Sequence, residues 1–219
     1  MSSQTQENYL KCIYKICEKN IQGASTNAIA EELETKAATV TDMLKKLSTQ
    51  KLINYKKYQA VTLTPIGKKK ALSIVRNHRL WEVFLVEKLK FSWNEVHEFA
   101  EQLEHIQSEE LIDRLDLFLG HPKFDPHGDP IPNKNGKIVT HKTIPLNEAK
   151  SNEKLIISGV SEHNDDFLSY LNEANLTLGQ KLVIKKINEY DKSMQILINK
   201  KDSIFISHTV AKNILVLCQ

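Results

Sequence analysis

The chain has 219 residues, 41% hydrophobic and 26% charged, with only 7 Gly and 6 Pro, which excludes collagen-like, low-complexity and largely disordered classes. Its net charge of +3 is unevenly spread: residues 1–76 carry 13 Lys and Arg against 6 Asp and Glu, residues 77–150 carry 9 against 13, and the remainder balances at 8 against 8. All eight histidines follow residue 76, so a basic, histidine-free front third precedes an acidic, histidine-bearing middle. A basic block suggests a polyanion partner and an acidic block with histidines suggests cations; a solvated charged surface is the plain alternative for both.

In chain order, Tyr9, Ile13 and Ile16 recur at helical spacing. Ser25, Thr26 and Asn27 offer N-caps for a second helix reaching Leu33. A third helix carries Val40, Met43, Leu44 and Leu47 as one apolar stripe and Thr39, Thr41, Asp42, Lys45 and Lys46 on its other face. Segments 52–55 and 60–63 then bracket Lys56-Lys57-Tyr58-Gln59, the pattern of a hairpin with a basic tip. Helix, helix, turn, helix and hairpin make a winged helix-turn-helix. Thr64-Pro65 starts a helix that runs to about Lys90. Ser92-Trp93-Asn94-Glu95 is a capping box opening another, to about Ile106, and Ser108 caps a further helix ending at Gly120. Such long apolar-faced helices suit a dimer interface or an internal core. Residues 121–136 hold four of the six prolines and read as a structured loop. From about residue 150, apolar runs at 155–157, 181–187, 194–198, 203–206 and 214–217 suggest strands, with one helical stretch at 166–171; a small β-barrel is expected.

No window approaches the roughly 18 uninterrupted apolar residues of a membrane span. The polar start, Met1 to Asn8, runs directly into a helical pattern, so no signal peptide is expected. Cys12, Cys17 and Cys218 form no CxxC pair, which fits a reducing cytoplasm.

The strongest chemical pattern lies on the two long helices. His78 and Glu82 are i, i+4 neighbours; His97, Glu101 and His105 are spaced i, i+4, i+8, with Glu104 beside His105. Carboxylates and imidazoles so repeated would repel one another at a helix seam unless a cation joined them; an exposed polar helix face is the alternative. Oxygen-rich ligands with some imidazole suit Mn(II) or Fe(II). Asp125 and His127, stiffened by Pro126, make a plausible further clip, though such residues also occur in plain turns. The third helix begins Ala37-Ala38-Thr39-Val40-Thr41, small and hydroxyl side chains where a recognition helix meets base edges. Thr26, Asp42, Lys45, Lys46 and Lys57 join Ala38, Thr39 and Thr41 as candidate DNA contacts, the lysines to phosphates.

Enzyme signatures are near misses or absent. His97-Glu98-Phe99-Ala100-Glu101 has Glu where the H-E-x-x-H zinc motif needs a second His, and no Walker loop, Rossmann glycine pattern or G-x-S-x-G elbow is present. A metal-dependent hydrolase and a metal-independent winged-helix regulator remain as alternative readings.

Taken together, these residues resemble the diphtheria-toxin-repressor and manganese-transport-regulator family of metal-dependent repressors. The resemblance runs through the first helix, Val61-Thr62-Leu63-Thr64-Pro65-Ile66-Gly67-Lys68, Asn77-His78-Arg79-Leu80-Trp81-Glu82, the stretch from 96 to 105, the loop from Gly120-His121-Pro122 to Ile131-Pro132, and the final barrel. It implies an α+β, multidomain chain: a winged helix-turn-helix DNA-binding domain at 1–64, a helical metal-binding and dimerisation domain at 65–140, and an SH3-like, FeoA-type β-barrel at 150–219. It further implies a non-enzymatic, cytoplasmic homodimer that binds palindromic double-stranded operators when loaded with Mn(II) or Fe(II), the metal fixing the operator-binding conformation. No membrane and no small organic substrate is implied. By position, His78, Glu82 and His97 match one metal site, to which Asp125 and His127 would add, and Glu101, Glu104 and His105 match a second. Glu101 is Cys in iron-type members and Glu in the manganese type, which tilts the expectation toward Mn(II). Asn8 stands where the family has Asp or Met as a first-helix ligand, and Lys11 where some manganese-type members have a further carboxylate. His163 and Asp166 fall near positions that lend ligands in some members.

Overall fold

The computed structural model describes residues 3–199 and 202–218; Met1, Ser2 and Gln219, which the expected domain bounds include, lie outside them. The chain divides into two compact units, the first made of Met1–Trp81, Ala100–Arg114 and Pro132–Ile138, the second of Glu82–Phe99, Leu115–Ile131 and Val139–Gln219.

The first unit begins with α1 (Gln4–Lys19), where the Ser3 hydroxyl accepts from the Gln6 amide and the Gln6 side chain answers at the Ser3 amide, a reciprocal cap. Ser25 caps α2 (Thr26–Glu32) without the reciprocal bond, its hydroxyl accepting from the Ala28 amide. In α3 (Ala37–Thr49) the expected stripe is found: Val40, Leu44 and Leu47 are fully buried, and Ala38, Thr39, Asp42, Lys45 and Lys46 are exposed. The wing reduces to β1 (Ile53–Asn54) paired antiparallel with β2 (Thr62–Leu63). Thr64 Oγ1 accepts from the Gly67 amide at the start of α4 (Pro65–Glu87). One apolar core unites these elements, centred on Leu10, Ile13, Ile29, Leu44 and Leu47.

α5 (Val96–Leu103), whose residues 96–99 belong to the second unit and 100–103 to the first, starts three residues later than the capping box predicts. Ser92 and Glu95 do bond each other, but residues 93–95 form a turn that drives Trp93 into the core of the β-sheet. α6 (Glu109–Phe118) ends just before Gly120, whose φ of +75° only glycine adopts without strain. The sheet has the order β3-β8-β4-β5-β6-β7, with β3 (Ile144–Pro145), β4 (Lys154–Val160), β5 (Lys181–Ile187), β6 (Met194–Ile198), β7 (Asp202–Ile206) and β8 (Ile214–Cys218), all pairs antiparallel. Among the described residues no pairing joins β7 to β3, so the expected small barrel is an open sheet. Its inner face follows period-two alternation, Leu155 and Ile157 on β4 meeting Leu182, Ile184, Ile196 and Val216, and α7 (Asp165–Glu173) covers it with Leu168 and Leu171. A second helix, α8 (His208–Asn213), follows Ser207; together with β3 it escapes the sequence reading. No helix among the described residues is long and apolar enough to cross a membrane.

Candidate metal centres and nucleic-acid face

In the second unit, Glu82, Asp125 and His127 converge. Each offers one ligand atom, and these lie within 4.8 Å of one another; all three residues are buried. Glu82 comes from α4, the other two from a loop built around its own side chain. Asp125 Oδ1 accepts from the amides of His127 (2.8 Å) and Asp129 (2.9 Å), and the ends of the loop pair through a Phe124–Pro130 bridge. The loop is pinned to β4 by the Val160 amide donating to the His127 carbonyl at 2.9 Å. Gly128 makes that approach possible: at φ +88°, a Cβ there would stand 2.1 Å from the Ser158 carbonyl oxygen.

The imidazole of His127 is held in one orientation. Its Nε2 lies 2.9 Å from the Trp93 carbonyl oxygen, which only accepts, so Nε2 is the donor there and Nδ1 is the ring nitrogen left to face inward. That Nδ1 faces Glu82 Oε1 at 3.8 Å, and the Trp93 ring stacks parallel to the imidazole, 6° between planes. An imidazole nitrogen and a carboxylate facing each other away from water are the kind of donor set that can hold a cation. The 3.8 Å between these two atoms fits one: ligands about 2.0–2.2 Å from a first-row divalent ion stand up to about 4.4 Å apart. His97, on the first turn of α5, reaches the same Glu82 oxygen with Nδ1 at 3.6 Å but is half exposed. His163 packs its ring edge-on against His127 at 5.3 Å and lies 3.8 Å from Asp129. Asp166 is an exposed residue of the first turn of α7.

The first unit assembles a different group. Lys11 Nζ, on the buried face of α1, lies 2.6 Å from Glu101 Oε1, 2.5 Å from Glu104 Oε2 and 3.3 Å from His78 Nδ1. His78 Nδ1 is itself 2.7 Å from that Glu104 oxygen. Beside it, His105 Nδ1 meets Glu7 Oε2 at 2.6 Å, Gln107 donates to Glu7 Oε1 at 2.7 Å, and His105 Nε2 stands 3.8 Å from Glu104 Oε1. Glu104 Oε1 and Asn8 Oδ1 are buried acceptors without a hydrogen-bond donor. On the side of Glu104 Oε1 and His105 Nε2 the donor set fits a cation; on the side of Glu104 Oε2, an ammonium already stands. Sequence reasoning missed Glu7 and noted Lys11 only as standing where some family members have a further carboxylate. The signal was there: Glu7 and Lys11 are one turn apart on the face of α1 that also buries Leu10 and Tyr14, where unpaired charges are not tolerated.

The candidate DNA contacts lie on α2, α3 and the wing. Ala38, Thr39, Asp42, Lys45 and Lys46 are exposed on α3, Thr26 and Thr41 are half-buried, and Thr41 bonds its own helix through the Ala37 carbonyl. Lys45 pairs with Asp42 at 3.1 Å. At the wing tip Lys57 lies over the ring of the exposed Tyr58.

Three family profiles cover the chain: "Iron dependent repressor, N-terminal DNA binding domain" at residues 1–61, "Iron dependent repressor, metal binding and dimerisation domain" at 64–133, and "FeoA domain" at 144–217. The chain is 30% identical over 171 residues to the iron-dependent repressor IdeR of Mycobacterium leprae, covering 74% of both chains. It is 37% identical over 117 residues to an uncharacterized HTH-type transcriptional regulator of Methanocaldococcus jannaschii, covering 53% of this chain and 94% of that one. Among solved structures, a manganese-dependent transcriptional repressor in complex with manganese superposes with a TM-score of 0.87 at 33% identity, over 97% of this chain and 99% of the other.

Proposed function

The chain belongs to the diphtheria-toxin-repressor and manganese-transport-regulator family of metal-dependent, DNA-binding transcriptional repressors, and we propose that Mn(II), held by Glu82, Asp125 and His127 with His97 at the edge, is the ion to which it responds. The observation that carries this reading is the His127 imidazole, whose Nε2 is committed to the Trp93 carbonyl so that Nδ1 faces Glu82. When bound, the ion supplies positive charge between two buried carboxylates. The residues do the rest: the Asp125 turn and Gly128 fix the loop, the Trp93 carbonyl holds the His127 ring, and Glu82 closes the set from α4. Carboxylate and imidazole with no thiolate favour Mn(II), with Fe(II) as the neighbouring choice. His78, Glu101, Glu104, His105 and Asn8 form a second group on this reading, and His163 and Asp166 stand outside the set of ligands.

The family binds operator DNA and dimerises. For this chain the proposal is a cytoplasmic homodimer without enzymatic activity, reading a palindrome with Ala38, Thr39 and Thr41 at base edges. Lys45, Lys46 and Lys57 would meet phosphates, with Thr26 and Asp42 flanking. The 1–64, 65–140 and 150–219 divisions serve DNA binding, metal binding with dimerisation, and the sheet domain. Metal raises the fraction of dimers competent for the operator, and apparent affinity rises with that fraction.

The test is selection of sheared genomic DNA from the source organism with chelator, with Mn(II) and with anaerobic Fe(II). Enrichment of palindrome-bearing fragments with Mn(II) above Fe(II), and none with chelator, is expected. Equal retention in all three would refute metal control, and stronger enrichment with Fe(II) would refute the choice of ion.

A further inference from the structure

We propose that the Lys11 ammonium is a resident cation, holding the position between Glu101, Glu104 and His78 that a divalent ion would otherwise take. Lysine presents three donors from one compact charge. Here that charge is 2.6 Å and 2.5 Å from oxygens of two different carboxylates and 3.3 Å from an imidazole nitrogen. Lys11 is itself buried, 4% exposed, and Glu104 is 1% exposed, so neither group is neutralised by water. The arrangement is what a cation site requires, carboxylates and an imidazole from separate helices converging on one positive centre. The centre is supplied by the chain.

Two consequences follow. A divalent ion competing for Glu101 Oε1 and Glu104 Oε2 must displace a covalently tethered charge whose local concentration does not fall on dilution. The bonds from Lys11 also tie α1 to Glu101 and Glu104 at every metal concentration, a tie that metal makes only when it is loaded. The inference concerns this group alone and holds whether or not the Glu82 centre takes Mn(II).

Equilibrium dialysis would count Mn(II) bound per chain in wild type and in Lys11→Glu, which replaces the ammonium by a further ligand. We expect the variant to bind one more equivalent than wild type, and its melting temperature to rise more on adding Mn(II). No added equivalent in a folded variant would overturn the proposal. Should the variant not fold, crystals of the wild type soaked in Mn(II) decide. Lys11 Nζ retained between Glu101 and Glu104, with no anomalous peak bridging those two oxygens, supports the proposal; a manganese peak there with the lysine swung away overturns it. Failure of the Glu82 reading shows separately, as an unchanged count on Glu82→Gln.

Discussion

Glu82→Gln separates the charge of the proposed centre from its shape. In the metal-free protein the substitution removes one of two carboxylates that are buried at 3% and 5% exposure. The imidazoles of His97 and His127 face its Oε1 at 3.6 and 3.8 Å, and the amide keeps the shape of the side chain while withdrawing its charge. For a chain of this size each kcal/mol is worth roughly 2–4 °C in melting temperature. With Mn(II) at about one hundred times its dissociation constant, the wild type gains about 2.7 kcal/mol. If the lost carboxylate weakens binding about a hundredfold, the variant gains only about 0.4 kcal/mol from the same metal. Scanning calorimetry with and without Mn(II) thus reads the substitution as a metal-induced increment smaller by about 5–9 °C in the variant. A variant that keeps the full metal-induced increment would refute the assignment of Glu82 as a charged ligand.

Other expectations concern the supports of that centre, the DNA face and the core. Gly128→Ala should cost about 2–4 kcal/mol, because its Cβ would press into the Ser158 carbonyl at an already left-handed φ, and the displaced loop should weaken Mn(II) binding by about 10–100-fold in a dialysis titration. Lys46→Ala, at an exposed position on α3, should weaken binding to all DNA sequences alike and lower the slope of log K against log salt by about 1; altered sequence preference would contradict a phosphate role. Burial pushes the Cys12 thiol up to about 12, with Glu32 adding to the shift. The thiol stays protonated in the folded chain while an unfolded one ionises near 8.5, so its contribution to stability is intact below that pH and declines as pH rises toward 12. Alkylation at pH 8 should therefore label the exposed Cys218 well before Cys12, and equal rates would contradict the burial.

Where one periodicity governs a segment, the sequence was legible. The α3 stripe of Val40, Leu44 and Leu47 and the alternation along β4 to β6 each bury one face, and each stands where the pattern places it. Legibility fails where tertiary packing overrides a local signal. The capping box at Ser92 is a sound helix start, and one of its two bonds forms, the Ser92 amide donating to Glu95 Oε2, yet Trp93 enters the sheet core instead of riding on the first turn of a helix, so α5 waits until Val96. β3 has two residues and one is proline, and α8 has six; neither is long enough to display a period.

The candidate sites follow the same logic one level up. Residue types and spacings on α4 and α5 exposed the carboxylates and histidines, because ligand side chains must be particular residues. What orients them is not so constrained. The partner of His127 Nε2 is a backbone carbonyl, which any residue at position 93 would supply, so no composition could have announced it. Lys11 is the converse case, a residue type that argues against a cation site until its place is known. On an exposed helix face it would be one more solvated charge. On the buried face of α1, facing Glu101 and Glu104, it makes the same kind of electrostatic closure that a metal would, and the two groups of acids and imidazoles in this chain therefore differ in where their positive charge comes from. Resemblance of ligands alone cannot separate them; the residue one turn after Glu7 does.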